Sequence, residues 1–200
     1  MGASPATDRV VTVPNVLSAA RLALALVFFV LVEREQFAGA FWAFLVAAST
    51  DWVDGWYARR YGQVSRLGRI LDPLVDKVLV CGAFVLLAAR GGTSLLPWMA
   101  VVVVVRELVV TAVRAEMERA GRDFSAGASG KLKMVLQCAA VAVELARLGY
   151  GSALGSIDSG TLARGLAWAA VVLTAWSGAE YVVKAWPVIA GGDRGATPGP

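Results

Sequence analysis

Residues 51–76 of this 200-residue chain read DWVDGWYARRYGQVSRLGRILDPLVD and place four aspartates within two otherwise apolar stretches, 39–60 and 69–89. Each stretch is long enough to cross a bilayer, because a hydrocarbon core roughly 30 Å thick needs about 20 residues of helix. Charged side chains inside such a stretch are costly and usually mark a functional site. The sequence therefore predicts two membrane-spanning helices that share an acidic site.

The four aspartates are spaced as neighbours on a helix face. Asp51 precedes Asp54 by three positions, and Asp72 precedes Asp76 by four, so each pair lies on one side of its helix. In an antiparallel hairpin that turns within residues 61–65, Asp51 and Asp76 are equally far from the turn, and so are Asp54 and Asp72. We therefore expect the four carboxylates to meet at one depth.

Carboxylates that lie together in a poor solvent repel one another. Two divalent cations would neutralise four of them, as in sites where aspartates bridge two metal ions. The chain has no histidine, and its two cysteines lie within apolar stretches, so oxygen atoms must supply the ligands, which favours Mg²⁺, Mn²⁺ or Ca²⁺. The absence of histidine also means that a proton acceptor must be Asp, Glu, Lys, Tyr or Cys. The alternative is a set of buried salt bridges to one of four cations: Arg59, Arg60, Arg66 or Lys77.

The composition extends the membrane prediction to the whole chain. Hydrophobic residues make up 58% and charged residues 17%, which is too apolar for an ordinary soluble domain. We expect an all-α, polytopic membrane bundle of six transmembrane helices, with a cytoplasmic segment 1–13, a membrane domain 14–187 and a disordered tail 188–200. The predicted spans are 15–33, 39–60, 69–89, 94–114, 131–150 and 161–185.

The distribution of Lys and Arg predicts the orientation of these spans. Twelve of these residues flank the spans on one side, and four flank them on the other: Arg34, Arg90, Arg147 and Arg164. Cytoplasmic loops carry the excess of positive charge, so both termini and the acidic site are expected to face the cytoplasm at the inner membrane. The basic residues flank apolar spans rather than cover one face, and the net charge of +4 therefore does not indicate nucleic-acid binding.

The acidic segment resembles the signature of the CDP-alcohol phosphotransferase family, DxxDGxxAR(x8)GxxxDxxxD. Segments around residues 14–21, 105–107 and 130–133 resemble the members of this family that use a glycerophosphate acceptor. Every fixed position of the signature is matched: Asp51, Asp54, Gly55, Ala58, Arg59, Gly68, Asp72 and Asp76.

The resemblance implies six helices, often a homodimer, two bound Mg²⁺ or Mn²⁺ ions and attack of an alcohol on a CDP-linked lipid with release of CMP. It implies that Asp76 is both the catalytic proton acceptor and a metal ligand, together with Asp51, Asp54 and Asp72. The positions implied to bind the CDP-lipid are Asn15, Gly55, Ala58, Arg59, Ser65 and Gly68.

A second group of charges suggests the acceptor. Arg106 interrupts the apolar run 95–113, and Arg114 and Lys131 fall on the same predicted side of the membrane. We expect these three cations to bind the phosphate of an anionic acceptor. The alternative is that Arg106 forms a neutralising pair with Glu107 and that the other cations are positive-inside anchors.

In the expected reaction, CDP-diacylglycerol and sn-glycerol 3-phosphate give phosphatidylglycerophosphate and CMP. Membrane lipids are expected to surround the protein. Within the same family the acceptor could instead be phosphatidylglycerol, which would give cardiolipin, or inositol phosphate. From another class, a divalent-cation transporter also places aspartates in its spans. A transporter predicts acidic residues distributed along a path, whereas this chain concentrates them in one hairpin.

Overall fold

The computed structural model describes residues 13–61, 68–119, 128–151 and 158–190, and the side chains of 19–50, 75, 77–118, 130–151 and 158–187. This part of the chain folds into six α-helices, which confirms the all-α prediction. In chain order they are α1 (Val13–Glu33), α2 (Phe37–Tyr61), α3 (Gly68–Ala89), α4 (Pro97–Arg119), α5 (Ala128–Tyr150) and α6 (Ser159–Ala190).

Five of the predicted spans lie wholly within one helix. The span predicted at 94–114 is displaced, because α4 begins at Pro97 and continues to Arg119. Proline lacks a backbone N–H and is suited to the first position of a helix, which explains the later start. Helix α6 continues past residue 187 to Ala190, and the tail from residue 191 lies outside the described residues.

A tight turn joins α1 to α2. The amide of Gln36 donates to the carbonyl of Leu31 at 2.9 Å, and that of Glu35 donates to Val32 at 3.0 Å. This is the Schellman pattern that ends many helices, usually with glycine in the left-handed conformation. Glu35 takes that conformation here, with φ of 59°.

The six helices form a closed ring around one apolar core. Neighbours in the ring follow the order α1, α2, α5, α6, α4, α3 and back to α1, with further contacts of α3 to α2 and α5 across the ring. Large side chains from five of the helices fill the core, among them Phe28, Phe44, Phe84, Met99 and Leu145, and α6 contributes smaller ones such as Ala167 and Ala170. This order brings the aspartate-bearing helices, α2 and α3, into contact with α1 and α5.

Polar contacts identify the end of the bundle that is remote from the aspartates. Arg90, just after α3, forms an ion pair with Glu35 at 2.8 Å and stacks over the ring of Phe37, the first residue of α2. The end of α3 therefore lies at the start of α2, and the two helices run antiparallel as predicted. We call this end, formed by residues 33–37, 90–95 and 147–150, the far end, and the opposite end the aspartate end.

A buried ion pair ties α5 to the α3–α4 connection at the far end. Glu144 is buried, and its Oε1 accepts hydrogen bonds from the Arg147 guanidinium at 2.5 Å and from the Ser94 amide at 3.1 Å. Arg147 also donates to the carbonyl of Gly92 at 2.9 Å. These contacts hold the connection onto the bundle.

Helices α2 and α5 meet through their backbones at the same end. A Cβ atom added to Gly149 would lie 2.6 Å from the amide nitrogen of Ala38, which is closer than real contacts allow. Glycine is therefore required at this crossing. Nearby, the Trp42 indole donates to the Tyr150 hydroxyl at 2.8 Å.

One helix of the described part, Ser159–Pro187, is by length and composition long and apolar enough to cross a membrane. Shorter apolar helical segments cover Phe37–Thr50 and Lys77–Ala89. Charged residues interrupt other helices, such as Arg106 and Glu107 in α4. Six helices are thus confirmed, while the prediction that all six span a membrane stays a prediction.

Candidate active site

The backbone brings the two aspartate pairs to one end of the bundle. Asp51 and Asp54 belong to α2, and Asp72 and Asp76 to α3. At a rise of about 1.5 Å per residue, all four positions lie within roughly three turns of the ends that residues 62–67 connect. Helices α2 and α3 are in contact, so the four positions lie toward the same end of the bundle. The expectation that the carboxylates meet at one depth stays a prediction, because the four side chains lie outside the described residues.

The donor set fits hard divalent cations. Aspartate offers only oxygen atoms, and such ligands suit Mg²⁺ and Mn²⁺ better than softer metals. Among the side chains that the structure describes, no group of three or more His, Cys, Asp or Glu residues forms another site. The four aspartates therefore remain the candidate metal ligands.

The positions expected to bind the CDP-lipid follow the same helices. Gly55, Ala58 and Arg59 continue α2 after Asp54, and Gly68 is the first residue of α3. Asn15 lies in the first turn of α1, which contacts both α2 and α3. Ser65 belongs to the segment 62–67 and lies outside the described residues.

Arg21 is a buried cation near this end that the sequence prediction did not assign. It is 1% exposed and lies on α1, the helix that contacts both aspartate-bearing helices. Charged side chains are rarely buried unless they are paired. The sequence could have indicated this residue, because Arg21 is a charged side chain within the first apolar span, 15–33.

The second charged group is centred on Glu107. Its Oε1 accepts a hydrogen bond from Arg106 Nη1 at 3.0 Å and forms an ion pair with Lys133 Nζ. Arg106 Nη2 also donates to the Ser177 hydroxyl at 3.2 Å. The neutralising pair that we considered for Arg106 is therefore present, and it includes a third member, Lys133, that the prediction did not assign to the site.

The other two cations of the predicted acceptor group are placed differently. Arg114 lies about two turns beyond Arg106 on α4, and Lys131 precedes Lys133 on α5; both side chains are exposed. The structure thus joins Arg106 to Lys133 through Glu107, rather than to Lys131. Both exposed cations are nevertheless on the aspartate-end side of the Glu107 cluster.

A hydrogen-bond chain connects this cluster to the acidic hairpin. Lys77 follows Asp76 on α3, and its ammonium donates to the hydroxyl of Thr111 on α4. The same hydroxyl donates to the carbonyl of Glu107 at 2.5 Å. The cations on α4 and α5 are therefore held beside the helix that carries Asp72 and Asp76.

An all-α bundle that carries four aspartates on two contacting helices, with a cluster of cations beside them, has the residue types of a metal-assisted site for phosphate groups. Residues 11–176 match the family model for CDP-alcohol phosphatidyltransferases. The chain belongs to this family, whose members are membrane-associated and metal-dependent.

Individual relatives are similar over most of their length. A Bacillus subtilis (strain 168) protein is 35% identical over 194 residues, covering 88% of this chain and 96% of the relative. An Escherichia coli (strain K12) protein is 36% identical over 179 residues, covering 86% and 94%. A Yersinia pestis (strain Pestoides F) protein is 35% identical over 145 residues, covering 72% and 76%. All three are named CDP-diacylglycerol–glycerol-3-phosphate 3-phosphatidyltransferase.

Proposed function

We propose that this protein transfers a phosphatidyl group from CDP-diacylglycerol to sn-glycerol 3-phosphate, giving phosphatidylglycerophosphate and CMP in phospholipid biosynthesis. The complete aspartate signature on two contacting helices is the observation that carries the donor chemistry. Similarity of about 35% to relatives with this activity in their names, along nearly their whole length, supports the acceptor.

The donor's diphosphate binds at the acidic hairpin. Asp51, Asp54, Asp72 and Asp76 would hold two Mg²⁺ or Mn²⁺ ions, which when bound neutralise the diphosphate and the departing CMP. Arg59, one turn after Gly55, suits a phosphate oxygen because its guanidinium forms paired hydrogen bonds. Gly55, Ala58 and Gly68 leave space along the helices for the nucleotide, and Asn15 and Ser65 complete the binding set.

Asp76 is the proposed proton acceptor. An Asp76 carboxylate oxygen takes the proton from the acceptor hydroxyl while the hydroxyl oxygen attacks the phosphorus attached to diacylglycerol. A new P–O bond forms to glycerol phosphate, and the P–O bond to CMP breaks. No lipid–enzyme intermediate is required, because the alcohol attacks directly.

The acceptor phosphate binds to the cations of α4 and α5. A phosphomonoester carries close to two negative charges near pH 7, and Arg106, Arg114 and Lys131 supply positive charge from two helices. Cations recognise such a group through short, charge-assisted hydrogen bonds. Phosphatidylglycerol, which has a phosphodiester, would offer less charge to the same residues.

The six helices are proposed to cross the inner membrane, with both termini and the active site at the cytoplasm, and to pair as a homodimer. Large apolar side chains exposed on the bundle surface support immersion in lipid, since soluble monomers rarely expose broad apolar patches. Examples on α1, α4, α5 and α6 are Leu26, Val30, Val101, Leu108, Val135, Val172, Trp176 and Val183.

The test is CMP release by the purified protein in detergent with CDP-diacylglycerol and Mg²⁺. Release is expected only when glycerol 3-phosphate is added, and excess chelator should abolish it until Mg²⁺ or Mn²⁺ is restored. Parallel reactions contain phosphatidylglycerol or inositol phosphate instead. Cardiolipin formation without any use of glycerol 3-phosphate would overturn the acceptor assignment, and full activity in chelator would overturn the metal site.

A further inference from the structure

Glu107 is shared by two cations, Lys133, which is buried, and Arg106, which is largely buried. The exposed fractions of the side chains are 12% for Glu107, 11% for Arg106 and 7% for Lys133. Both cations use the same carboxylate oxygen, Oε1. A single carboxylate thus sets the positions of charged groups that come from α4 and α5.

Neighbouring contacts leave the Arg106 side chain little freedom. Its second nitrogen is held by Ser177 on α6, and Ser177 in turn donates to the carbonyl of Thr174 at 3.1 Å. Gly178 lies against the stem of Arg106, because a Cβ atom at this position would be 2.8 Å from Arg106 Cγ. The guanidinium therefore has a fixed direction as well as a fixed partner.

The cluster keeps unused capacity for an anion. Two cations and one carboxylate leave a net charge of +1, and Arg106 Nε is buried with no hydrogen-bond partner in the described part of the chain. Buried donors normally have partners, so Arg106 keeps one unmet donor beside the net positive charge of the cluster.

We propose that Glu107 is a positioning residue for the acceptor phosphate. By fixing Arg106 and Lys133, it sets the place at which that phosphate binds beside the acidic hairpin. This inference rests on the proposed function, since it assigns Glu107 a role in binding glycerol 3-phosphate. Without the carboxylate, the two cations lose their common partner and repel each other, so the phosphate would meet displaced charges.

Glu107→Gln tests the proposal, because it keeps the size of the side chain and removes its charge. We expect KM for glycerol 3-phosphate to rise about tenfold or more, the effect of losing a charge-assisted contact. KM for CDP-diacylglycerol should stay within about twofold, because Glu107 and its two cations are not among the residues proposed to bind the donor. A selective rise in one KM indicates lost binding of that substrate. Glu107→Asp should recover part of the loss.

The matched control is Glu144→Gln, which also removes a buried carboxylate from an ion pair with arginine. Glu144 lies about 16 Å further along α5 than Lys133. This variant should lose thermal stability but retain both KM values. If Glu107→Gln raises both KM values equally, or leaves both unchanged, Glu107 has no positioning role.

Gly178→Ala provides a second route that alters no charge, in case Glu107→Gln fails to fold. The added methyl group displaces the stem of Arg106, so KM for glycerol 3-phosphate should again rise selectively. Gly165→Ala, on the same helix with nothing within 4 Å of its added Cβ, should behave as wild type. An unchanged KM in Gly178→Ala would overturn the proposal. Failure of the wild-type protein to use glycerol 3-phosphate would instead refute the proposed function.

Discussion

At the scale of single residues, the four aspartates differ in their expected roles. Asp76→Asn should retain binding of CDP-diacylglycerol and lose turnover by at least about 10²-fold, the lower range for removal of a general base. Asp51→Asn, Asp54→Asn and Asp72→Asn should each lose most activity without unfolding the protein, because each removes a proposed metal ligand and weakens metal binding. Binding of a fluorescent CDP-lipid and the rate of CMP release separate these effects. Near-normal turnover in Asp76→Asn would require another proton acceptor.

Arg106 and Lys131 test the acceptor site at the same scale. Replacement of either by Gln should raise KM for glycerol 3-phosphate by roughly 10–150-fold, which corresponds to a lost contact of about 1.5–3 kcal/mol. The affinity for CDP-diacylglycerol should change little. The steady-state KM for each substrate checks this, and an effect confined to the donor would contradict the assignment.

Single residues also show where sequence patterns are sufficient. Helical periodicity alone was enough to predict that each pair of aspartates lies on one side of a helix. The structure places both pairs on helices, α2 and α3. The Glu35 turn was not predictable from the pattern, since glycine is the usual residue in its conformation. The ion pair from Glu35 to Arg90 joins residues that are far apart in sequence, and local patterns do not encode such contacts.

At the scale of helices, close packing of α5 on α2 depends on Gly149. Gly149→Ala places a methyl group against the backbone of Ala38, which cannot move aside as a flexible side chain would. We expect a loss of about 1–3 kcal/mol in the free energy of unfolding, typical of overpacking. Gly165→Ala, in open space on α6, should be neutral or slightly stabilising. Thermal melting in detergent compares the two, and equal melting temperatures would contradict the contact.

The start of α6 gives a pH-dependent prediction. Asp158 accepts a hydrogen bond from the Thr161 amide at 3.1 Å and another from its hydroxyl at 2.5 Å. These hydrogen bonds hold the pKa of Asp158 below its usual value. The carboxylate therefore stabilises the helix above about pH 4, near the unfolded pKa, and this stabilisation is lost as the pH falls through the lower, folded pKa.

Asp158→Asn removes the charge without removing the side chain. Wild type should melt at a higher temperature than the variant at neutral pH, and the difference should shrink in acid as the wild-type carboxyl takes up its proton. Melting curves of the two proteins across this pH range measure it. A difference that does not change with pH would mean that the charge of Asp158 does not contribute.

The apolar stretches of the sequence predicted where the helices lie, but they did not predict which helices are in contact. The ring order places α5 beside α2 and α6, whereas consecutive order alone would place it beside α4 and α6. The ion pair of Lys133 with Glu107 joins α5 to α4, two helices that are not neighbours in the ring, and the apolar pattern alone does not predict it. The start of α4 at Pro97 could have been predicted from the sequence, because proline is favoured at the first position of a helix.

At the scale of the whole molecule, the two ends of the bundle have separate tasks. Arg147→Gln should lower the free energy of unfolding by about 3 kcal/mol or more, because it leaves the Glu144 carboxylate buried without its cation. Glu35→Gln breaks a pair whose carboxylate is 72% exposed, and such pairs contribute less than about 1 kcal/mol. Melting temperatures compare the stability of the two variants. The rate of CMP release, measured below the melting transition, gives their KM values. Altered KM values in Arg147→Gln would show that the far end is coupled to the active site.

The backbone contact between Gly149 and Ala38 also bears on how such an enzyme could change its substrate in evolution. In the proposed assignment, α2 bears five of the residues for the donor, and α5 bears Lys131 for the acceptor phosphate. Their crossing at the far end constrains how the two helices are placed relative to each other along their length. New acceptors would therefore be reached by exchanging side chains on α4 and α5, while the spacing between the reacting partners is inherited unchanged.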